Sequence, residues 1–158
     1  MMRRILVTGM SGTGKSSALE RLRSLGFRTV DTDEGDWIEW SEAEGGYVWR
    51  EERIADLLAG GDGRSLYVSG TVSNQGRFYD RFDAVVLLSA PANVLLSRIE
   101  SRTTNPYGKT AAQRALVLRD LAETEPQLRR TCTHEIDATQ PLPDVVSQLA
   151  ELGRDPAG

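Results

Sequence analysis

Five short apolar runs punctuate the chain, at Arg3–Thr8, Arg28–Asp31, Ser65–Ser69, Ala84–Ser89 and Thr133–Ile136. The segments between them carry apolar residues at three- and four-residue spacing, the period of a helix with one buried face. Ile5-Leu6-Val7 has no polar side, which marks a strand covered on both faces. Alternation of such strands with helical segments predicts an α/β fold with a parallel sheet and helices on both of its faces. The predicted helices are Lys15–Leu25, Gly35–Ala43, Trp49–Ala59, a short one near Gly76–Asp80, Pro91–Ser101, Ala111–Glu123 and Leu142–Leu152. Pro91 suits a first helical turn, where its missing N–H costs nothing. From Thr103 to Lys109 the periodicity breaks, with Asn105-Pro106 and Gly108 between two helices, so the stretch reads as a mobile loop. It is either a lid over about residues 103–110 or a plain helix connection. Gly60-Gly61-Asp62-Gly63 reads as a turn and 154–158 as a frayed tail, leaving one domain over residues 1–153 without internal repeats.

The first strand runs into Gly9-Met10-Ser11-Gly12-Thr13-Gly14-Lys15-Ser16, a complete G-x-x-x-x-G-K-[ST] phosphate-binding loop, followed by Ser17 and a helical pattern through Ala18, Leu19, Leu22 and Leu25. This context places the loop's backbone N–H groups at a helix N-terminus, where anions are favoured. Lys15 supplies a compact cation to the β- and γ-phosphate oxygens, and the Ser16 hydroxyl can ligate Mg²⁺. The chain has 17 arginines but only two lysines, Lys15 and Lys109. Where the basic residue is otherwise always Arg, a lysine marks a position that needs a point charge. The expected ligand is therefore a nucleoside triphosphate.

Composition narrows the partners. At 158 residues, a net charge of −4 and a pI near 5.1, the chain lacks the basic footprint of a nucleic-acid binder, so a small molecule is the expected partner. No apolar run approaches a membrane span, and the Met-Met-Arg-Arg start leads straight into the first strand, which points to a soluble cytoplasmic protein without a signal peptide. A single cysteine, Cys132, excludes an internal disulfide, and with the single His134 it cannot build a metal site unaided.

Asp31-Thr32-Asp33 follows the second strand, so both carboxylates emerge at the sheet edge where ligands of open α/β folds bind. One could reach Mg²⁺ through water and the other could accept a hydroxyl proton. Asp33 could equally cap the helix predicted over 35–43. The polar run Thr71-Val72-Ser73-Asn74-Gln75-Gly76-Arg77 could donate hydrogen bonds to a hydroxylated substrate or form a surface turn. Trp37 and Trp40, three apart on that same predicted helix, with Trp49 and Tyr47 nearby, could stack on a sugar ring or a base or pack in the core.

Gly9–Ser17, Val30-Asp31-Thr32-Asp33, Trp49-Arg50, Ser69-Gly70, Val85–Leu88, Arg98, Arg102-Thr103 and His134–Thr139 occur in the order seen in shikimate and gluconate kinases. Over most of its length the chain resembles that branch of the nucleoside-monophosphate-kinase-like P-loop proteins. The resemblance implies a P-loop NTPase fold with a five-stranded parallel sheet and a short lid. It also implies ATP and Mg²⁺ as cofactors, with Asp31 in the Mg²⁺ shell and Asp33 orienting and deprotonating the acceptor. Arg50 would clamp the substrate, with Gly70 beside it; independently of the resemblance, Arg77 with Arg81 one helical turn on could bind a phosphate. Arg102 and the Asp137–Thr139 turn would border the adenine, and Lys109 would stand in for the lid arginine. The departures concern the acceptor. Thr124, flanked by Glu123 and Glu125, replaces the second carboxylate-binding arginine of shikimate kinases, so shikimate itself fits poorly. Thr32-Asp33-Glu34-Gly35-Asp36 lacks the Gly-Asp-x-x-His pattern of gluconate kinases, and a single Gly70 stands where a glycine triplet is usual.

The expected activity is transfer of the ATP γ-phosphoryl group to a hydroxyl of a small molecule. A nucleoside monophosphate kinase, with Arg50, Arg53, Arg77 and Arg81 converging on a phosphate, or a non-catalytic nucleotide-binding regulator are the alternatives. Lys15→Ala is expected to abolish ATP turnover and weaken nucleotide binding while leaving the thermal melt unchanged. Turnover at the wild-type rate in the purified variant contradicts the assignment of the loop.

Overall fold

The computed structural model describes residues 2–101 and 109–154. Five strands form the main sheet: β1 (Arg4–Thr8), β2 (Arg28–Asp31), β5 (Leu66–Ser69), β6 (Ala84–Ser89) and β7 (His134–Asp137). They lie in the order β2-β5-β1-β6-β7, and every pair is parallel. β1 sits at the centre because its apolar run has nothing to offer solvent: Ile5, Leu6 and Val7 are completely buried. Successive strand residues face opposite sides. Ile5 and Val7 accordingly join one core with Leu19 and Leu22 of α1 (Lys15–Ser24) and Leu149 of α5 (Leu142–Gly153). Leu6 joins the other core, with Ile54, Leu57 and Leu58 of α2 (Glu51–Ala59). The chain leaves β1 towards β2 on one side and later fills the other with β6 and β7. The C-terminal end of β1 is thus the point where strand order reverses, the place where a crevice opens in folds of this kind.

One predicted helix is wrong. Residues 35–43 form no helix; instead β3 (Ile38–Ser41) and β4 (Gly46–Trp49) make an antiparallel hairpin outside the main sheet. Gly35 and Gly45 bracket the segment at φ of 76° and 67°, values that a helix does not accommodate. Across the hairpin, Trp40 pairs directly with Tyr47, ring centroids 5.4 Å apart and edge to face, a cross-strand aromatic contact that favours the strand pairing. Trp40 and Trp37 are therefore strand and turn residues, not a helical stack. Loss of this helix also removes the capping role weighed for Asp33. Trp49, expected at the start of a helix, ends β4, and α2 begins at Glu51.

The smaller differences have local causes. The turn over Gln75–Arg81 is a 3₁₀ helix. α3 (Ala92–Ser101) follows Pro91, and α4 runs from Ala111 to Thr131, well past the predicted end at Glu123. Thr110 and Gln113 form a reciprocal capping box at its start. Pro126 lies inside α4, yet the helix continues because Leu128 is buried against the sheet. Arg129 also ties the helix to Glu125 at 2.5 Å and to Glu135 of β7 at 2.9 Å. Apart from Lys109 and Thr110, the lid expected over 103–110 lies outside the described residues, as do Arg102 and the tail from 155 to 158. Among the described residues no helix is long and apolar enough to cross a membrane.

Trp49 fastens the hairpin to the sheet. It is completely buried, and its indole N–H donates to Thr32 Oγ1 at 3.0 Å, while Asn74 brackets its backbone through Oδ1 (2.9 Å) and Nδ2 (3.0 Å). Thr32 in turn donates to the Ser69 carbonyl at 2.7 Å. Truncation to Ala should cost about 3–5 kcal/mol by chemical denaturation. Trp49→Phe keeps most of the volume and should cost clearly less. Equal losses for the two variants would show that the hydrogen bond to Thr32, and not packing, holds the hairpin down.

Candidate active site

At the end of β1 the backbone turns so tightly that a side chain is impossible: a Cβ on Gly9 would lie 2.4 Å from the Leu88 carbonyl oxygen. Gly14, at φ 93° and ψ 20°, closes the loop in the left-handed conformation at the N-cap of α1. Between them Thr13 is buried, its hydroxyl donating to the Met10 carbonyl at 2.9 Å, so this side chain braces the loop from behind. Lys15 Nζ lies across the loop, donating to the carbonyls of Gly9 (2.6 Å) and Met10 (3.1 Å). The whole predicted loop, Gly9 to Ser17, lines one cleft of about 1180 Å³.

The two aspartates lie where β2 ends beside α1. Ser16 Oγ donates to Asp31 Oδ2 at 2.6 Å, and the Asp33 backbone N–H donates to Asp31 Oδ1 at 3.0 Å. A hydroxyl and a carboxylate in contact at the mouth of a phosphate-binding loop are hard oxygen donors of the kind Mg²⁺ takes alongside phosphate and water, so the pair fits that ion. Asp33 lines the cleft beside them. Burial in the cleft walls, and then the neighbouring Asp31 charge, push its carboxyl above the usual 3.8, with Lys15 pulling in the opposite direction. The side chain still opens to solvent, which tempers the shift.

Other predicted residues are elsewhere. Gly70 is buried under the sheet edge and pressed by Thr32 and Trp49, so Thr71 lines the cleft in its place. Arg50 is ion-paired with Asp36 at 3.3 Å and hydrogen-bonded to Glu39 at 3.4 Å, and Arg77 donates to Glu51 at 2.8 Å; neither lines the cleft. Asp137 accepts from the Thr139 hydroxyl (2.6 Å) and backbone N–H (2.8 Å), which holds its carboxyl below the usual range and shapes the turn after β7. Ala138 and Gln140, between and beside them, are the residues that reach the cleft. Lys109 is exposed, just ahead of the α4 cap. Most of the polar run from Thr71 is committed to internal bonds. Thr71 Oγ1 donates to the Gly9 carbonyl at 2.7 Å, and Gln75 Nε2 donates to Thr8 Oγ1 (3.1 Å) and Tyr79 Oη (2.9 Å).

The contacts of Arg98, the apolar wall and the approach of Glu44 to the cleft were not foreseen, although Arg98 itself belonged to the resemblance and Tyr47 to the aromatic group weighed for stacking. Arg98 of α3 donates to the carbonyls of Ala138 (2.5 Å) and Gly12 (3.4 Å), fastening the loop to the turn after β7. Leu142 and Val145 of α5 and Val117 and Leu128 of α4 give the cleft an apolar wall suited to a flat base. Glu44 and Tyr47 of the hairpin line the cleft as well, and only the hairpin's tertiary placement brings them there.

A parallel sheet whose central strand runs into this loop, with a serine–aspartate pair at its mouth, defines a P-loop nucleotide-binding protein. The chain belongs to the AAA domain family, whose model matches residues 5–119. No curated protein sequence matches it. Among solved structures it is similar to shikimate kinase from Acinetobacter baumannii in complex with shikimate, at TM-score 0.67 and 19% identity over 96% of this chain and 93% of that one. It is also similar to a gluconokinase from Sinorhizobium meliloti 1021, at TM-score 0.64 and 24% identity over 96% and 93%. Deoxyadenosine kinase from M. mycoides with bound dATP aligns at TM-score 0.61 and 14% identity over 95% and 98%. At these identities the likeness is one of fold.

The aspartate environment is directly measurable. In a carboxyl-carbon NMR titration of the ligand-free protein, Asp33 should titrate above 3.8, because burial and the adjacent Asp31 charge both oppose its ionisation. Asp31→Asn should bring that midpoint down. A midpoint at or below 3.8 in the wild-type protein contradicts the described packing.

Proposed function

We propose that this protein is an ATP-dependent phosphotransferase that moves the γ-phosphoryl group to a hydroxyl of a small molecule. The observation that carries the reading is the position of Asp33: a carboxylate in the same cleft as the phosphate-binding loop, two residues beyond the Asp31 that meets Ser16. A protein that only binds nucleotide has no use for a proton acceptor there. The kinases with the same fold, one of them described with shikimate and one with dATP, support the reading.

In this scheme the loop N–H groups and Lys15 hold the β- and γ-phosphates. Ser16 and Asp31 would hold Mg²⁺, which when bound supplies charge neutralisation on the phosphate oxygens. Asp33 orients the acceptor hydroxyl and takes its proton as the hydroxyl oxygen bonds to the γ-phosphorus and the bond to the ADP bridging oxygen breaks. Lys109 would be the cation brought to the transferring group, and the Asp137–Thr139 turn would border the adenine, as would Arg102, which lies outside the described residues. The ready-formed apolar wall from α4 and α5 receives the base. One domain over residues 1–153, acting in the cytoplasm on small molecules, without nucleic acid or membrane as partner, completes the reading.

ADP formation and phosphorylated product, followed across sugars, polyols, aminocyclitols, nucleosides and nucleotides, test it. Asp33→Asn should retain ATP affinity and an unchanged melting temperature but lose about a hundredfold or more in transfer rate. Near-normal transfer by that variant removes Asp33 as the base.

A further inference from the structure

The hairpin side of the cleft is chemically lopsided. Between Asp31 and Trp49 the chain carries seven carboxylates and no lysine or arginine. Glu44, at the hairpin tip, lines the cleft together with Asp33, and Asp120 of α4 adds a third carboxylate. Among the described residues that line the cleft, the positive side chains are Lys15 and Arg98. Both are engaged at the phosphate end, Lys15 on loop carbonyls and Arg98 on the carbonyls of Gly12 and Ala138.

Of the four arginines weighed for an acidic acceptor, three are matched to carboxylates outside the cleft, and the fourth, Arg81, does not line it. Arg50 is shared between Asp36 and Glu39, Arg53 bonds Asp36 at 3.1 Å, and Arg77 bonds Glu51. A carboxylate or phosphate group entering this end would meet like charge, since the described guanidinium that lines the cleft, Arg98, is bonded to the Gly12 and Ala138 carbonyls at the phosphate end, and an anion removed from water without a charged partner is strongly disfavoured.

An independent observation points to the opposite charge. Tyr47 lines the cleft yet is 60% exposed, and its partner Trp40 is 55% exposed. The pair is not core. It is held edge to face, and the Trp40 indole N–H is anchored on Glu42 Oε1 at 3.2 Å. An aromatic ring and a carboxylate lining the same end of the cleft, Tyr47 and Glu44, form an environment that attracts an ammonium group.

Taking the transferase reading above as its basis, we infer that the acceptor is an organic cation, a small polyhydroxylated amine. Its ammonium group is received by Glu44 and the Tyr47 ring, and one of its hydroxyls is presented to Asp33. Glu44 and Tyr47 are thus specificity-determining residues for the proposed reaction.

The test compares three charge classes under saturating ATP and Mg²⁺: amino sugars and aminocyclitols, neutral sugars and nucleosides, and sugar acids and nucleoside monophosphates. The readouts are ADP and phosphorylated product. The expected result is highest kcat/KM in the amine class. Glu44→Gln should raise KM for the best amine about tenfold or more, the scale of a lost charged hydrogen bond. Its kcat should stay within about twofold, since Glu44 touches neither phosphate nor the reacting oxygen. Tyr47→Ala should raise the same KM, and Glu44 lies in an exposed tip, so its variants should fold normally. Preferred turnover of a neutral or anionic class, or an unchanged KM in Glu44→Gln, overturns the inference while leaving a kinase. No product from any class, with ATP still bound by the wild type, overturns the transferase reading itself, and the inference falls with it.

Discussion

The close approach of Gly9 to the carbonyl of Leu88 is the contact on which the rest of the site depends. It lets the chain leave the central strand between two parallel neighbours and wrap back into α1 within a few residues. Because the strand order reverses at β1, this turn lies where β2, β5, β6 and β7 all deliver their C-terminal ends. Thr71 after β5 bonds the same Gly9 carbonyl that Lys15 does, Asp31 at the end of β2 meets Ser16, and Arg98 joins the turn after β7 to Gly12. The phosphate-binding loop is therefore held from every adjacent strand, which supplies the pre-organisation that phosphoryl transfer needs in place of covalent chemistry.

Charge is distributed along the cleft with the same economy. Cations are concentrated at the loop, where a triphosphate brings negative charge, and carboxylates line the hairpin side. The Arg50, Arg53 and Arg77 ion pairs are exposed, and contacts of that kind add little to stability. Their consequence is for recognition, since a guanidinium bonded to Asp36, Glu39 or Glu51 is not presented to the cleft. The departures from the shikimate and gluconate kinase patterns, Thr124 in place of an arginine and the missing histidine motif after β2, agree with an acceptor end that has changed its charge preference.

The hairpin shows where reading the chain alone misleads. Residues 35–43 carry tryptophans three apart and no proline, a pattern that a helix would also produce. What decided against it was the pairing of Trp40 with Tyr47, contributed by a segment several residues away, together with the anchoring of Trp49 on Thr32 and Asn74. The same reason explains Arg50, Gly70 and Arg77. Arg50 and Gly70 stand at positions the resemblance marked and Arg77 in the polar run after β5, but side-chain direction depends on the neighbours, and the two arginines turn to carboxylates while the Gly70 backbone packs into the sheet. Extension of α4 beyond Pro126 likewise followed from burial of Leu128 and the link from Arg129 to β7, neither of which has a local signature.

By itself the sequence determined the five parallel strands, the loop from Gly9 to Ser17 and the emergence of Asp31 and Asp33 beside it. These rest on short-range facts: apolar runs with no polar side, glycines where the backbone must turn, and a strand end followed directly by acidic residues. Tertiary structure alone decided which surfaces meet across the cleft: Arg98 on the loop, the apolar wall from α4 and α5, and Glu44 with Tyr47 from the hairpin. Those contacts join residues far apart in the chain. Their energies depend on packing and charge pairing that no local pattern encodes.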